Sequence, residues 1–425
     1  MSSTTGQESA LDTLSPTIDG LRCRECGTPE ELGPVHVCGE CFGPLEVAYR
    51  DDRTVDRAAI EAGPRNLWRY APLLPILEEQ PVPADLGAGF TPLVPAPRLA
   101  EQLGLGELWL KDDTRNPSGS FKDRVVAVAL NAAQSLGITT LACASTGNLA
   151  NAVAAGAAKA GMPAYVVIPH DLEQAKIATS AVYGATVVAV KGSYDDVNRL
   201  CAEIADDRGW GFVNVNLRAY YAEGSKTLGF EVAEQLGWEL PDHIVVPIAS
   251  GAQLVKVHKS LGELVAHDLV APHDVRISGA QAAGCSPVAT AFAEGTDRIR
   301  PVKPDTIARS LAIGDPADGT YAVRAVREAG GAIAAVTDEE IVSAIRLLAE
   351  TEGLFAETAG GVTIGTLAKL AREGVIGRDE RVVAFVTGHG LKTLDALSGR
   401  VGPTFTIEPS LTAFEEQLTF AGEQS

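Results

Sequence analysis

The chain has 425 residues with 35 Lys and Arg against 55 Asp and Glu, a formal net charge of −20. At roughly 100–200 residues per domain, that length suggests two or three domains, and 46% apolar residues allow a substantial core. So acidic a chain is a poor candidate for binding nucleic acid or an anionic membrane. An anionic substrate would need local cations or backbone N–H groups working against the global field. No run of 18 apolar residues suggests a transmembrane helix.

The first 20 residues, MSSTTGQESALDTLSPTIDG, are polar and lack a basic n-region and an apolar h-region. They read as a disordered leader on a cytoplasmic protein, where disulfides are rare. Residues 21–50 then carry four of the seven cysteines. Cys23, Cys26, Cys38 and Cys41 form C-x2-C-x11-C-x2-C, a zinc-ribbon-like pattern able to place four thiolates around one Zn2+. Such a site is structural, because no coordination position is left open for chemistry. The alternative is four unligated thiols in a metal site that has decayed. Cys143, Cys201 and Cys285 read as ordinary buried thiols. Residues 51–90, with Pro64, Trp68, Arg69, Tyr70, Pro72 and Pro75, read as a connecting arm.

From about residue 107 the pattern alternates. Strand ELWLKDD leads through TRNPSGS to a helix from Phe121. TLACAS, AYVVIP, ATVVAV and FVNVN read as further strands, each separated from the next by a helix. HIVVPIA, VRISGAQ and RVVAFVT follow later, with a Pro-rich connector after VRISGAQ. Thr337 and Glu340 spell a capping box for the helix that follows them. Short β-branched runs ending in Gly- or Ser-rich turns, each followed by a helix, indicate an α/β fold of parallel units. The catalytic core is expected over 91–400, with a smaller domain at about 136–215 inside it. The tail, 401–425, is expected to pack on the outside.

Ligands of open parallel sheets bind at the carboxyl ends of the strands. Four loops there carry candidate chemistry. Asn116-Pro117-Ser118-Gly119-Ser120-Phe121-Lys122-Asp123-Arg124 puts a lysine at a helix start, where the N-terminal field and desolvation favour the free amine. Ser145-Thr146-Gly147-Asn148 opens another helix and suits an anion such as a carboxylate. Ser250-Gly251-Ala252-Gln253 can wrap a phosphate with successive N–H groups. Thr387-Gly388-His389-Gly390 ends the strand RVVAFV. A solvated lysine and ordinary turns are the bland readings of the same loops.

The string NPSGSFKDR resembles the cofactor-lysine motif of threonine synthases, in the tryptophan-synthase-β-like superfamily of fold-type-II pyridoxal phosphate (PLP) enzymes. The similarity runs over about 90–395, with the other three loops in the expected order. The cysteine segment also resembles the N-terminal extension of some threonine synthases. The resemblance implies two open parallel-sheet α/β domains and a Schiff-base lysine at Lys122. It gives Asn148 the cofactor's phenolic oxygen, Ser250, Gly251, Ala252 and Gln253 its phosphate, and Thr387 its pyridine nitrogen. Ser145, Thr146 and Gly147 would hold the substrate carboxylate. It further implies the conversion of O-phospho-L-homoserine and water to L-threonine and phosphate, in a homodimer. Threonine/serine dehydratase and cysteate or cysteine synthase share these loops and are the alternatives. Ala249 and Gln253 stand where the family's phosphate cup is richer in Gly or Asn. Ser118, Lys111, Arg124 and Arg309 are candidates for the substrate phosphate on charge and hydrogen-bonding grounds, and Glu357 is a candidate lining residue.

Overall fold

The computed structural model describes residues 13–81, 86–145, 147–170, 174–192, 194–403 and 405–422. Two α/β bodies share the chain. The larger has a six-stranded sheet in the order Ile333–Val336, Arg276–Ala282, His243–Pro247, Arg381–Val386, Glu107–Asp112, Leu93–Pro95. Its first five strands run parallel, and the edge strand Leu93–Pro95 is antiparallel to Glu107–Asp112. Central strands such as His243–Pro247 are buried throughout, as expected of a sheet with helices on both faces. The smaller body has four parallel strands, ordered Thr186–Val190, Ala164–Pro169, Leu141–Ala144, Gly211–Phe212.

Several expectations need correction. Strands at Thr13–Leu14 and Ile18–Cys23 extend order into the 1–20 stretch read as a leader; residues 1–12 lie outside the described residues. Of FVNVN, only Phe212 lies in a strand, Gly211–Phe212, and Val213 N–H donates to Ala142 O at 3.0 Å. There the Asn216 side chain takes the Phe212 N–H at 2.8 Å and donates to Trp210 O at 2.9 Å, turning the chain back. The Pro-rich connector contains helices Pro287–Ala293 and Gly319–Glu328 and the strand Ile333–Val336. The tail carries a helix, Leu411–Gly422. Among the described residues, no helix is long and apolar enough to cross a membrane.

The cysteine segment is a three-stranded antiparallel sheet of Ile18–Cys23, Pro29–Glu30 and Leu45–Tyr49. Its apolar face, including Ile18, Leu21, Leu45 and Val47, joins the same core cluster as Val125, Leu149 and Tyr220. A sheet this small cannot bury enough surface alone. Docking on the smaller body supplies the missing core.

Candidate active site

Three adjacent strands of the large sheet, Glu107–Asp112, Arg381–Val386 and His243–Pro247, deliver the Lys122, Thr387 and Ser250 loops to one edge. The strand Leu141–Ala144 brings the Ser145–Asn148 loop from the other sheet. Backbone pairing joins the first two loops. Phe121 N–H donates to Thr387 O at 2.9 Å, and His389 N–H donates to Gly119 O at 3.0 Å.

Lys122 is the first residue of the helix Lys122–Ser135. Its Nζ donates to the Tyr221 hydroxyl at 2.7 Å and lies 4.7 Å from the centre of the Phe121 ring. Asn148 opens the helix Asn148–Ala160, and its Nδ2 donates to both Glu357 carboxylate oxygens, at 3.1 and 2.9 Å. Burial pushes the Glu357 carboxyl up, while Asn148, Lys392 and Lys122 pull it down. Lys392 is half-buried and its ammonium is pushed down by desolvation, with Glu357 and Asp123 opposing that. Asp123 accepts the Ser118 N–H at 2.7 Å, and burial pushes its carboxyl up to about 6. A side chain at Gly388 would overlap the Glu357 carboxylate, so the Thr387–Gly388 turn and Glu357 are fitted to each other.

The Ser250 loop turns tightly into a helix. Gly251 has φ +97° and caps the helix Ala252–Ala266; a Cβ there would lie 2.6 Å from Asp318 O. Only Gly takes this conformation at such a contact without strain. The Gln253 Nε2 is buried without a partner, as are Ser118 Oγ, Ser120 Oγ and Thr358 Oγ1. Buried donors are ordinarily satisfied, so these atoms fit a site shaped for a polar ligand. With an amine at Lys122 and a positive helix end at Gly251, the donor set fits pyridoxal phosphate. Ser145 Oγ accepts the Gly147 N–H at 3.4 Å; Thr146 lies outside the described residues.

Two of the cations considered for the substrate phosphate are committed elsewhere. Lys111 and Arg124 are fully buried and paired with Glu231, and Arg124 also pairs with Asp113. Arg309 forms a short 3-10 turn with Ser310 and Leu311. Sequence reasoning passed over Tyr221, which lies on the short helix Arg218–Glu223. It also passed over Lys392, in the string that includes His389. His389 accepts the Leu391 N–H at 3.1 Å on its Nδ1, a turn role.

Away from this edge, the Sγ atoms of Cys23, Cys26, Cys38 and Cys41 all lie within 4.8 Å of one another. Cys23 to Cys41 and Cys26 to Cys41 are 3.4 Å apart, and Cys26 to Cys38 is 3.7 Å. Four thiolates at about 2.3 Å from one Zn2+ would be about 3.8 Å apart. The two knuckles match: Glu25 N–H points at Cys23 Sγ and Glu40 N–H at Cys38 Sγ, each at 3.4 Å. Such N–H groups support thiolate ligands. A groove lined by Glu107, Trp238, Asp242, His273 and Arg381 lies at the opposite, amino ends of the strands, away from this chemistry.

Residues 84–388 match the family model described as pyridoxal-phosphate dependent enzyme. The threonine synthase of Methanosarcina acetivorans is 38% identical over 402 residues, covering 94% of this chain and 98% of that protein. The threonine synthase of Methanocaldococcus jannaschii is 37% identical over 380 residues, covering 88% and 93%. Among solved structures, maize serine racemase aligns with a TM-score of 0.60 at 22% identity over 73% of this chain and 93% of that one. Diaminopropionate ammonia lyase from Escherichia coli aligns at 0.62 and 21% identity over 74% and 88%. Identities that low speak for the fold alone, whereas the threonine synthase relatives match over most of both chains. The chain belongs to the family of pyridoxal-phosphate dependent enzymes and, within it, to the threonine synthases.

Proposed function

We propose that the chain converts O-phospho-L-homoserine and water to L-threonine and phosphate, as a PLP-dependent lyase. The observation that carries this reading is the convergence of Lys122, Thr387 and the Gly251 turn on one edge of the large sheet, with Asn148 brought from the smaller sheet and tied to Glu357, in a chain matching threonine synthases over most of its length. Pyridoxal phosphate, when bound through Lys122, supplies an electron sink for negative charge developing at the substrate's α and β carbons.

The chain's own groups do the rest. The Lys122 amine, once free, is the base that takes and returns protons at those carbons, and the Tyr221 hydroxyl at 2.7 Å holds it in place. Glu357 fixes the Asn148 amide so that one N–H remains for the cofactor's phenolic oxygen. The Gly251, Ala252 and Gln253 N–H groups, with the unused Gln253 Nε2, receive the cofactor phosphate, and Ser250 shapes the turn. Thr387 offers a neutral hydroxyl to the pyridine nitrogen. Ser145, Thr146 and Gly147 take the substrate carboxylate, and Ser118 Oγ its phosphate. The test gives purified enzyme phosphohomoserine, threonine and phosphoserine in parallel. Equimolar threonine and phosphate from the first alone support the reading; ammonia from threonine without phosphohomoserine turnover overturns it.

The four cysteines are proposed to hold a structural Zn2+, supported by their sulfur spacing and paired knuckles. None of the seven cysteines is paired in a disulfide, and a cytoplasmic location is proposed with the zinc reading. The family resemblance supports a homodimer; light scattering on the purified chain tests it.

A further inference from the structure

Arg24 and Glu25 lie between the ligand pair Cys23 and Cys26, and both side chains leave the knuckle towards the catalytic body. The Arg24 guanidinium sits 3.5 Å from the centre of the Tyr321 ring and donates to Asp318 at 3.0 Å. Glu25 accepts from the Tyr321 hydroxyl. The pair is sheltered, with the Arg24 side chain 14% exposed and that of Asp318 7%. The second Asp318 oxygen takes Arg218.

Asp318 is also part of the phosphate-cup wall. Its N–H donates to Ser250 O at 2.8 Å, and its own carbonyl fills the space beside Gly251. Arg218 and Tyr221 are three apart on one helix and so share a face, which links Asp318 to the residue touching Lys122. The cysteine sheet grips that helix twice more. Gly33 N–H donates to the Tyr220 hydroxyl at 3.2 Å, and Tyr49 donates to Glu223 at 2.7 Å.

We propose that Arg24 is a positioning residue for the turn at Ser250–Gln253, and that a metal ion on the four cysteines keeps it there. With both flanking cysteines ligated, the metal geometry sets where Arg24 leaves the knuckle. Without metal, the four sulfurs lose their common anchor and the knuckle loses its shape. Arg24 then leaves Asp318, and the wall behind Gly251 loosens. Metal occupancy of the N-terminal sheet thereby sets the affinity for pyridoxal phosphate. This rests on the reading that the turn holds the cofactor phosphate.

The test titrates PLP into full-length, cofactor-stripped protein, followed by absorbance, with zinc present or after chelation. Circular dichroism checks the fold of each sample. A sheltered charge-assisted contact is worth about tenfold in an equilibrium constant. Chelation is therefore expected to raise the PLP Kd about tenfold, and added zinc to restore it. Arg24→Gln should raise Kd by a similar factor and no longer respond to chelation, while Arg24→Lys recovers part of the loss. An unchanged Kd on chelation overturns the proposal, as does a full response to chelation in Arg24→Gln. If Arg24→Gln does not fold, Asp318→Asn replaces it with the same expectations. Gly251→Ala separates the two readings. A raised Kd there with a parental Kd in Arg24→Gln sinks only the Arg24 proposal. A parental Kd in Gly251→Ala removes the cup reading, and the Arg24 route with it.

Discussion

Glu231→Gln tests how the start of the Lys122 helix is held. Glu231 is fully buried and accepts from Lys111 at 2.7 Å and from both terminal nitrogens of Arg124, one at 2.8 Å. It also accepts the Phe90 N–H at 2.6 Å and the Thr91 N–H at 3.2 Å. Arg124, two residues beyond Lys122, reaches Asp113 at 2.8 Å. Two buried carboxylates thus balance two buried cations. Burial alone would push Glu231 up, but Arg124 and Lys111 hold its carboxyl at about 2, against an ordinary 4.5. That difference corresponds to about 3 kcal/mol, close to the ~3–5 kcal/mol lost when one partner of a buried pair is removed. Because the folded-state value is depressed, this stability is complete above pH 4.5 and is lost as pH falls through about 2. Urea denaturation at pH 7, followed by tryptophan fluorescence, should show Glu231→Gln less stable by about 3 kcal/mol, and the gap should stay flat up to pH 8. A loss below about 1 kcal/mol would refute the claim that this network locks the loop.

Three further outcomes follow from other parts of the molecule. His243 lies between Ser278 Oγ at 2.7 Å and Glu380 at 3.2 Å, and burial, helped by Arg276, lowers it to about 4. The unfolded chain therefore binds the extra proton first, so stability falls from pH 6.5 down to about 4, by about 3 kcal/mol in all; His243→Gln should flatten that slope, and parallel pH profiles would contradict it. Thr337 accepts the Glu340 N–H while Glu340 accepts the Thr337 N–H, so Thr337→Ala should cost about 1 kcal/mol in thermal or urea unfolding, and no measurable loss would count against the cap. Glu357→Ala should shift the cofactor absorption band and lower kcat about tenfold by freeing Asn148, with Glu357→Gln recovering part; a parental spectrum in both variants would remove Glu357 from the site.

The strand–helix alternation was legible because buried parallel strands are short β-branched runs and their helices open on small residues. The Thr337–Glu340 box was read correctly because a capping box is local. The stretch between VRISGAQ and Thr337 was not legible. Helix Pro287–Ala293 is short, and Gly319–Glu328 opens on a glycine after Asp318, whose side chain serves two arginines rather than the helix end. Strand Ile333–Val336 has two alanines at its centre and follows Gly330-Gly331, so composition hides it. At the site, Lys122 and Asn148 stood in recognisable strings. Lys111 and Arg124 are candidates for the substrate phosphate on charge and hydrogen-bonding grounds, but their carboxylate partner Glu231 lies over 100 residues further on, which no local pattern reveals. Tyr221 and Arg24 gain their meaning only from the packing of the cysteine sheet and its neighbouring helix onto the catalytic body.

Lys122 is proposed to carry the cofactor as a Schiff base. Borohydride reduction of the PLP-loaded enzyme, followed by peptide mass mapping, tests this directly. A single reduced adduct on the peptide containing Lys122, absent from Lys122→Ala, is the predicted result. An adduct on Lys392 or any other lysine, or an undiminished adduct in Lys122→Ala, would contradict it.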